Sequence, residues 1–463
     1  MRKKEMINKK LKNGVVILVV LITVHITLLL TTSYIAWPEM MFWPYLILKG
    51  WMPYKDIVIA HTPLLVINLS LFYKLFGVGV WQLKFYTILL IMLTDVLLFY
   101  IAKRFWSAKV AFLSLALYIP FQVMYEGNGL WFDLPLTSLA LLIYYLLRTK
   151  KYLLGGMIWG VSFFTKQTAA WFVIPITVQT LIQNRKVKFS YLIKPYIQIG
   201  LGIGLVFLLV IIVLWVIGLL PSFHQWAIDY GIRVLPREKG QISLPNAKLL
   251  LVSLIPFSIL FILPFVTKKK DWLVLVTWTI VAFMGVYPRW GLFHFQPALP
   301  FLAISGGLVL SKLNKVGSFL KITALIYMGL VLLLFGKYFV RSINTPDRFL
   351  EDDTFTVSEY INDKVGDNGE VYIMNTWDNI YVFSNTVPSS GYWVPHLSWV
   401  MDQPGVQEKL VRQLENNKPE IIIMRPYGMN DLSSYKPELI DEFLSQNYGL
   451  VEEVGGHLVL YLK

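Results

Sequence analysis

Residues 14 to 34 read GVVILVVLITVHITLLLTTSY, an apolar stretch of about the 20 residues a helix needs to cross a hydrocarbon core. Similar runs recur along the chain to about residue 340. In a bilayer every backbone N–H and C=O must be satisfied within the protein, so continuous runs of this length specify helices; barrel strands are shorter and alternate. The spacing predicts spans near 14–34, 83–101, 108–125, 134–147, 152–165, 168–183, 196–219, 247–266, 272–287, 297–311 and 322–339, about eleven by the length criterion. Composition agrees. The 463 residues are 56% hydrophobic and 15% charged, with mean hydropathy +0.58, too apolar for a water-soluble globule of this length.

A net charge of +14 raises the question of nucleic acid. The lysines and arginines are instead spread as short clusters between apolar runs, at 2–12, 103–104, 148–151, 185–188, 268–270 and 312–321, which is how topology signals are distributed and not how a nucleic-acid patch is built. The positive-inside rule puts these clusters in the cytoplasm, so an even number of spans lies between successive clusters and an odd total leaves the C-terminus outside. The N-terminal MRKKEMINKKLK and the apolar run after it resemble a signal peptide, but no small-residue cleavage site follows, and the segment reads as a retained first span. With 0 Cys there is neither a disulfide framework nor thiolate chemistry.

Residues 62–77, TPLLVINLSLFYKLFG, are too short to span comfortably and carry Asn68 and Lys74, so they are expected along the outer interface. Residues 35–82 then form one external loop of two interfacial helices, broken at Gly50 and Pro53, with Trp37, Trp43, Trp51, Tyr45 and Tyr54 at headgroup level. From about residue 344 the chain turns polar. EVYIMN, EIIIMRP and HLVLYLK read as strands, QEKLVRQLENN and LIDEFLSQ as helices between them. The expected architecture is an all-α polytopic membrane domain, 1–343, followed by a small extracytoplasmic α/β domain, 344–463. A Walker loop and G-x-G-x-x-G are both missing from the sequence, so ATP-driven transport has no support.

The first external loop, WPEMMFWPYLILKGWMPYKDIVIAHTPLL, holds two acids, Glu39 and Asp56. A carboxylate costs roughly 2.5–3.5 kcal/mol at the centre of a bilayer helix and less near its edge, so each acid alone is compatible with a solvated loop residue, a cap, or, for Asp56, a turn beside Lys55. Their joint placement on a membrane-pinned loop argues for chemistry. The chain also presents, in order, a first span, this acid in an aromatic loop, G-x-x-PY-[KR]-D, H-x-P-L, a short helix ending in LFG, a span ending in AKRF, GGMIWGVSFFTKQTA, and YPRWGLFHFQPALP at 287–300. To about residue 340 this order resembles the GT-C glycosyltransferases, in particular the bacterial branch related to protein mannosyltransferases and the aminoarabinose transferase of lipid A.

The resemblance implies that the acid in the first external loop is the catalytic carboxylate. Glu39 occupies its place, although Pro38 precedes it where the family more often has Asp or an Asp-Glu pair, so Glu39 and Asp56 both stand as candidates for the base. Moving a sugar from a lipid phosphate to a hydroxyl requires removal of the acceptor proton as carbon one is attacked, and the product is then inverted. The phosphate leaving group needs cations at headgroup depth. Lys166, Arg289, His294 and Lys55 fit that role, the alternatives being snorkelling to headgroups for Lys166 and Arg289 and a packed imidazole for His294. In the second external loop, YEGNGLWFDLP, Glu126, Asn128, Trp131 and Asp133 are candidates for hydrogen bonding and stacking an acceptor sugar, while Asp133 also suits a helix N-terminus. The loop 220–246, with Trp226, Arg233, Arg237 and Lys239, reads as a mobile cover or as a solvated loop.

No His/Asp/Glu cluster has metal-ligand spacing, so no cofactor and no divalent ion is expected, though oligosaccharyltransferase-like relatives require one. The expected function is transfer of a sugar from a polyprenyl-phosphate donor to a glycan, lipid or protein hydroxyl outside the membrane. A lipid-linked glycan ligase or polymerase is the neighbouring alternative, and a transporter or membrane anchor the distant one. A transporter would place ionisable groups at mid-membrane; here Asp95 is the exception among acids that cluster at outer ends.

Overall fold

The structure, a computed structural model, describes residues 2–185, 189–239, 241–428 and 435–463. Part of the 185–188 cationic cluster therefore lies outside the described residues. The chain forms two compact units, one of residues 1–34, 85–210 and 243–346, the other of 35–84, 211–242 and 347–463.

The first unit is helical. Each segment expected to span is helical, but among the described residues six helices are long and apolar enough to cross a membrane: Gly14–Thr31, Val80–Phe105, Ile193–Val216, Ala247–Val266, Leu292–Ser311 and Ser318–Ile343. The other expected spans are shorter helices: Ala108–Met124, Asp133–Arg148, Tyr152–Thr165, Val173–Asn184 and Lys269–Phe283 have 17, 16, 14, 12 and 15 residues. Helices and 3-10 turns alternate around Lys166 and Pro256, and such breaks are tolerated at membrane depth only where protein buries them. The Leu292–Ser311 segment is that interior, 89% buried, whereas Gly14–Thr31 and Ser318–Ile343 are each 17% buried and turn apolar side chains outward. The Leu299–Ser311 helix lies against Ala108–Met124 so closely that a Cβ on Gly307 would stand 2.3 Å from Ser114 Oγ and 2.9 Å from its backbone nitrogen. Only a residue without a side chain permits that approach.

The second unit contains the two helices of the first loop, Pro38–Leu48 and Leu64–Phe76, and a five-stranded mixed sheet. Its strands are β1 Glu370–Met374, β2 Val387–Pro388, β3 Ile421–Met424, β4 Tyr448–Val454 and β5 His457–Leu462, in the order β2-β1-β3-β5-β4. β1 pairs in parallel with β2 and β3, β5 runs antiparallel to β3, and β4 and β5 form a hairpin. That hairpin turns at Gly455 and Gly456, both with positive φ (+55° and +69°), as a two-residue turn between strands of this twist demands. Helices Asp352–Val365, Val406–Asn417 and Glu438–Asn447 complete the domain. The loop joins the sheet region directly: Trp393 N donates to Asp56 O (2.7 Å) and Val58 N to Trp393 O (3.0 Å). Phe42 stacks on Tyr381 at 5.0 Å, fixing the first loop helix to this domain.

Candidate functional site

In the first unit, the sequence-predicted Asp133, Lys166 and His294 meet. Lys166 occupies a break between helix Tyr152–Thr165 and a 3-10 turn, its backbone extended (φ −154°, ψ 129°). The break redirects the chain so that Lys166 Nζ donates to Asp133 Oδ2 at 2.6 Å. His294, from the 3-10 segment Leu292–Ala298, has Nδ1 2.7 Å from the same oxygen and 3.2 Å from Nζ. All three side chains are buried. An ammonium and a carboxylate at this separation, out of water, form an ion pair with no net charge. Asp133 also sits in the first turn of its helix, where the dipole favours an acid.

Around this cluster, Trp131 packs edge-on to Phe293 at 6.0 Å. Arg289 is exposed in the turn before His294 and near enough for its charge to act on the imidazole; the turn is pinned by Trp290 N to Ser243 O (2.8 Å). Glu126 holds a left-handed backbone (φ 52°) just past helix Ala108–Met124. Asn128 is spent on structure: its Nδ2 donates to Leu29 O and Thr32 O at 2.9 and 3.0 Å, closing the end of the first helix. Mid-helix Asp95 lies 2.8 Å from His25 Nδ1, whose Nε2 lies 3.1 Å from Gln122 Oε1, so it ties neighbouring helices together.

In the second unit the two candidate bases part company. Glu39 stands in the first turn of Pro38–Leu48 and lines a cavity of about 70 Å³ with Trp37, Trp377, Asp378, Trp393 and His396. Asp56 lies elsewhere: its Oδ2 accepts from Met52 N at 2.8 Å, closing the turn that ends in PYKD. Lys55 is exposed on a second cavity, of about 280 Å³, with Tyr54, Trp226, Tyr392 and Lys409. Trp226 belongs to the π-helical stretch His224–Val234, whose Arg233 and Asp229 pair at the surface (2.8 Å).

Asp378 was not singled out from sequence. It follows β1, and the order β2-β1-β3 puts the carboxyl end of β1 where the crossovers diverge, the place at which open parallel sheets form a crevice. Burial, followed by the charge of Glu39, raises the Asp378 carboxyl well above the usual carboxylate range, against a hydrogen bond from Trp393 Nε1 at 3.1 Å. Burial pushes His396 down to about 4, leaving a neutral imidazole with Nε2 3.1 Å from Tyr372 OH. Trp377 Nε1 and His396 Nδ1 are buried with no hydrogen-bond partner among the described residues. Three indoles, two carboxyls and polar atoms awaiting partners suit a polyhydroxylated ligand. Among the described residues no group of three or more His, Asp or Glu is placed to hold a metal ion.

Residues 60–215 match the family profile of dolichyl-phosphate-mannose-protein mannosyltransferases. No curated protein sequence matches the chain. Among solved structures, ArnT from Cupriavidus metallidurans in the apo state is similar with a TM-score of 0.62 and 14% identity, over 96% of this chain and 97% of that one. The same protein bound to undecaprenyl phosphate is similar with a TM-score of 0.59, at the same identity and coverage. The oligosaccharyltransferase AglB from Archaeoglobus fulgidus, in complex with an inhibitory peptide and a dolichol-phosphate, follows at 0.52 and 10% identity, over 90% of this chain and 70% of that one. At such identities the likeness is one of fold. The resemblance first read from ordered motifs is thus borne out, and the chain is a multi-pass membrane protein with the fold of the GT-C superfamily.

Proposed function

We propose that this protein is a membrane glycosyltransferase that moves a sugar from a polyprenyl-phosphate donor to an acceptor hydroxyl on the outer side of the membrane, with Glu39 as general base. Glu39 takes the acceptor proton as that oxygen bonds to carbon one; the bond from carbon one to the phosphate oxygen breaks, and the phosphate leaves with the electron pair. A single displacement of this kind inverts the anomeric centre. The observation that carries the reading is the Glu39 cavity: an acid of the first loop beside the half-buried Asp378 carboxyl, between indole rings of the kind that stack on sugars.

Asp378, held neutral beside Glu39, is a hydrogen-bond donor to a sugar hydroxyl in this reading. Asp56, engaged with Met52 N, shapes the loop instead of serving as base. Lys166, Arg289, His294 and Lys55 are assigned to the donor phosphate, and Glu126, Trp131 and Asp133 to sugar or acceptor. The ArnT relative solved with undecaprenyl phosphate and the AglB relative solved with a dolichol-phosphate support a lipid-phosphate donor. The N-terminus is assigned to the cytoplasm and the α/β domain, 344–463, to the exterior, on the distribution of cationic clusters.

The test is transfer from polyprenyl-phosphate hexoses and pentoses in native membranes carrying the wild type, E39Q or D56N. A general base is worth roughly 10²–10⁴-fold in rate. Loss on that scale in E39Q, with D56N largely active, is the expected result; full activity in E39Q refutes the assignment.

A further inference from the structure

At the far end of helix Asp133–Arg148 from Asp133, about 22 Å away along the helix, lies a cavity of about 480 Å³. It is lined by Arg148, Lys150, Arg185, Lys268, Lys269 and Lys270, all within the first unit. Arg148 is already engaged, paired with Asp271 at 2.9 Å and set over the rings of Phe105 and Trp106 at 4.8 and 5.2 Å. The other five cations are exposed and form no ion pair among the described residues. Five like charges around one hollow repel each other unless an anion occupies it.

The helix Lys269–Phe283 adds a second argument. Its N-terminus opens on this cavity with lysines at 268, 269 and 270, and its first-turn acid, Asp271, is already paired with Arg148. Both the dipole and the lysines point one way, toward an anion bound between them. Gln183 lines the same cavity, and its Oε1 is buried with no partner among the described residues, an acceptor in need of a hydroxyl. Beside it, the helix Val173–Asn184 exposes Val173, Ile174 and Leu181 along a flank suited to acyl chains.

We propose that this cavity binds the phosphate headgroup of an anionic phospholipid of the phosphatidylglycerol type, at the end of the helix remote from Asp133. The lysines and Arg185 receive the phosphodiester, Gln183 Oε1 accepts from a headgroup hydroxyl, and the acyl chains lie along the Val173–Asn184 helix. Basic pockets between membrane helices are the established form for such recognition. The site is independent of the transfer reaction and stands whether or not the catalytic reading does.

The experiment uses the full chain purified in mild detergent and offered phosphatidylcholine, phosphatidylglycerol or inorganic phosphate, with retained molecules read by native mass spectrometry. Wild type is expected to retain phosphatidylglycerol over phosphatidylcholine. K268Q/K269Q/K270Q should weaken that retention more than ten-fold, and K268R/K269R/K270R should keep it, which separates loss of binding from loss of fold. Equal retention of both lipids, or retention unchanged in the glutamine variant, overturns the proposal. Displacement of the lipid by inorganic phosphate, with phosphate itself bound, would make the occupant a soluble anion and overturn the lipid as its source.

Discussion

The indole Nε1 of Trp393 donates to Asp378 Oδ1 at 3.1 Å, and both side chains line the cavity that also receives Glu39. Trp393 is at once the residue that takes the first loop onto the domain, through its backbone bonds to Asp56 and Val58. The bond thus fixes a carboxyl of the C-terminal domain beside an acid that is over 300 positions earlier in sequence.

Because the folded state raises the Asp378 pKa, through burial first and Glu39 second, this residue contributes a pH dependence of definite sign. Its stability is intact below the unfolded value, about 4 for Asp, and declines as pH rises toward the folded one. D378N removes the ionisation while keeping an oxygen for the indole. The melting temperature of wild type should therefore fall more steeply than that of D378N as pH is raised from acid to neutral, measured by intrinsic fluorescence in detergent. D378N should also retain most transfer activity and D378A little; parallel melting curves would show that Asp378 is ionised in both states.

The Lys166–Asp133 pair is buried and shares its carboxylate oxygen with His294. Removing one member of a buried pair leaves a charge without compensation, a loss of roughly 3–5 kcal/mol. K166M and D133L singly should each lower unfolding stability on that scale, and the double variant K166M/D133L should recover much of it. Denaturant unfolding of the four proteins gives the coupling; additive losses would mean that the two groups act separately.

Asp56 should behave as a turn residue. D56N can still accept from Met52 N, whereas D56A leaves that donor bare and should cost about 1 kcal/mol. Thermal unfolding of the two variants, beside transfer assays, checks this; a loss of activity in D56N without loss of stability would return Asp56 to the role of base.

At Gly307 a new Cβ would meet Ser114 Oγ at 2.3 Å, Ser114 N at 2.9 Å and Val110 O at 3.0 Å. G307A should destabilise by roughly 1–3 kcal/mol, the usual cost of overpacking. S114A in the same chain should recover only part, since two of the three obstructing atoms are backbone. Full recovery in the double variant, read by melting temperature, would contradict a backbone-limited contact.

Much of this architecture was legible in the sequence because it rests on local physics. Apolar length places helices at each expected segment, alternation and β-branching place β1, β3 and β5, and the short Leu64–Phe76 helix follows from an apolar run too brief to cross. The breaks at Lys166 and in 255–261 were not legible, since where a membrane helix is interrupted depends on what buries the interruption. Strand β4 escaped notice because its exposed Glu452 and Glu453 read as loop; an edge strand needs only one paired side.

What the sequence by itself determined is the solvent each stretch meets and which residues are candidates for chemistry: Glu39, Asp133, Lys166, His294 and Arg289 are all nameable from type and position. Which of them meet was decided by tertiary structure alone. The spacing from 39 to 378, or from 133 to 294, carries no periodic signal, because such partners are joined by helix breaks and strand crossovers and not by a repeating backbone geometry. That is why Asp378 stayed hidden until β1 delivered it to the Glu39 cavity, and why Lys166 emerged as the partner of an acid.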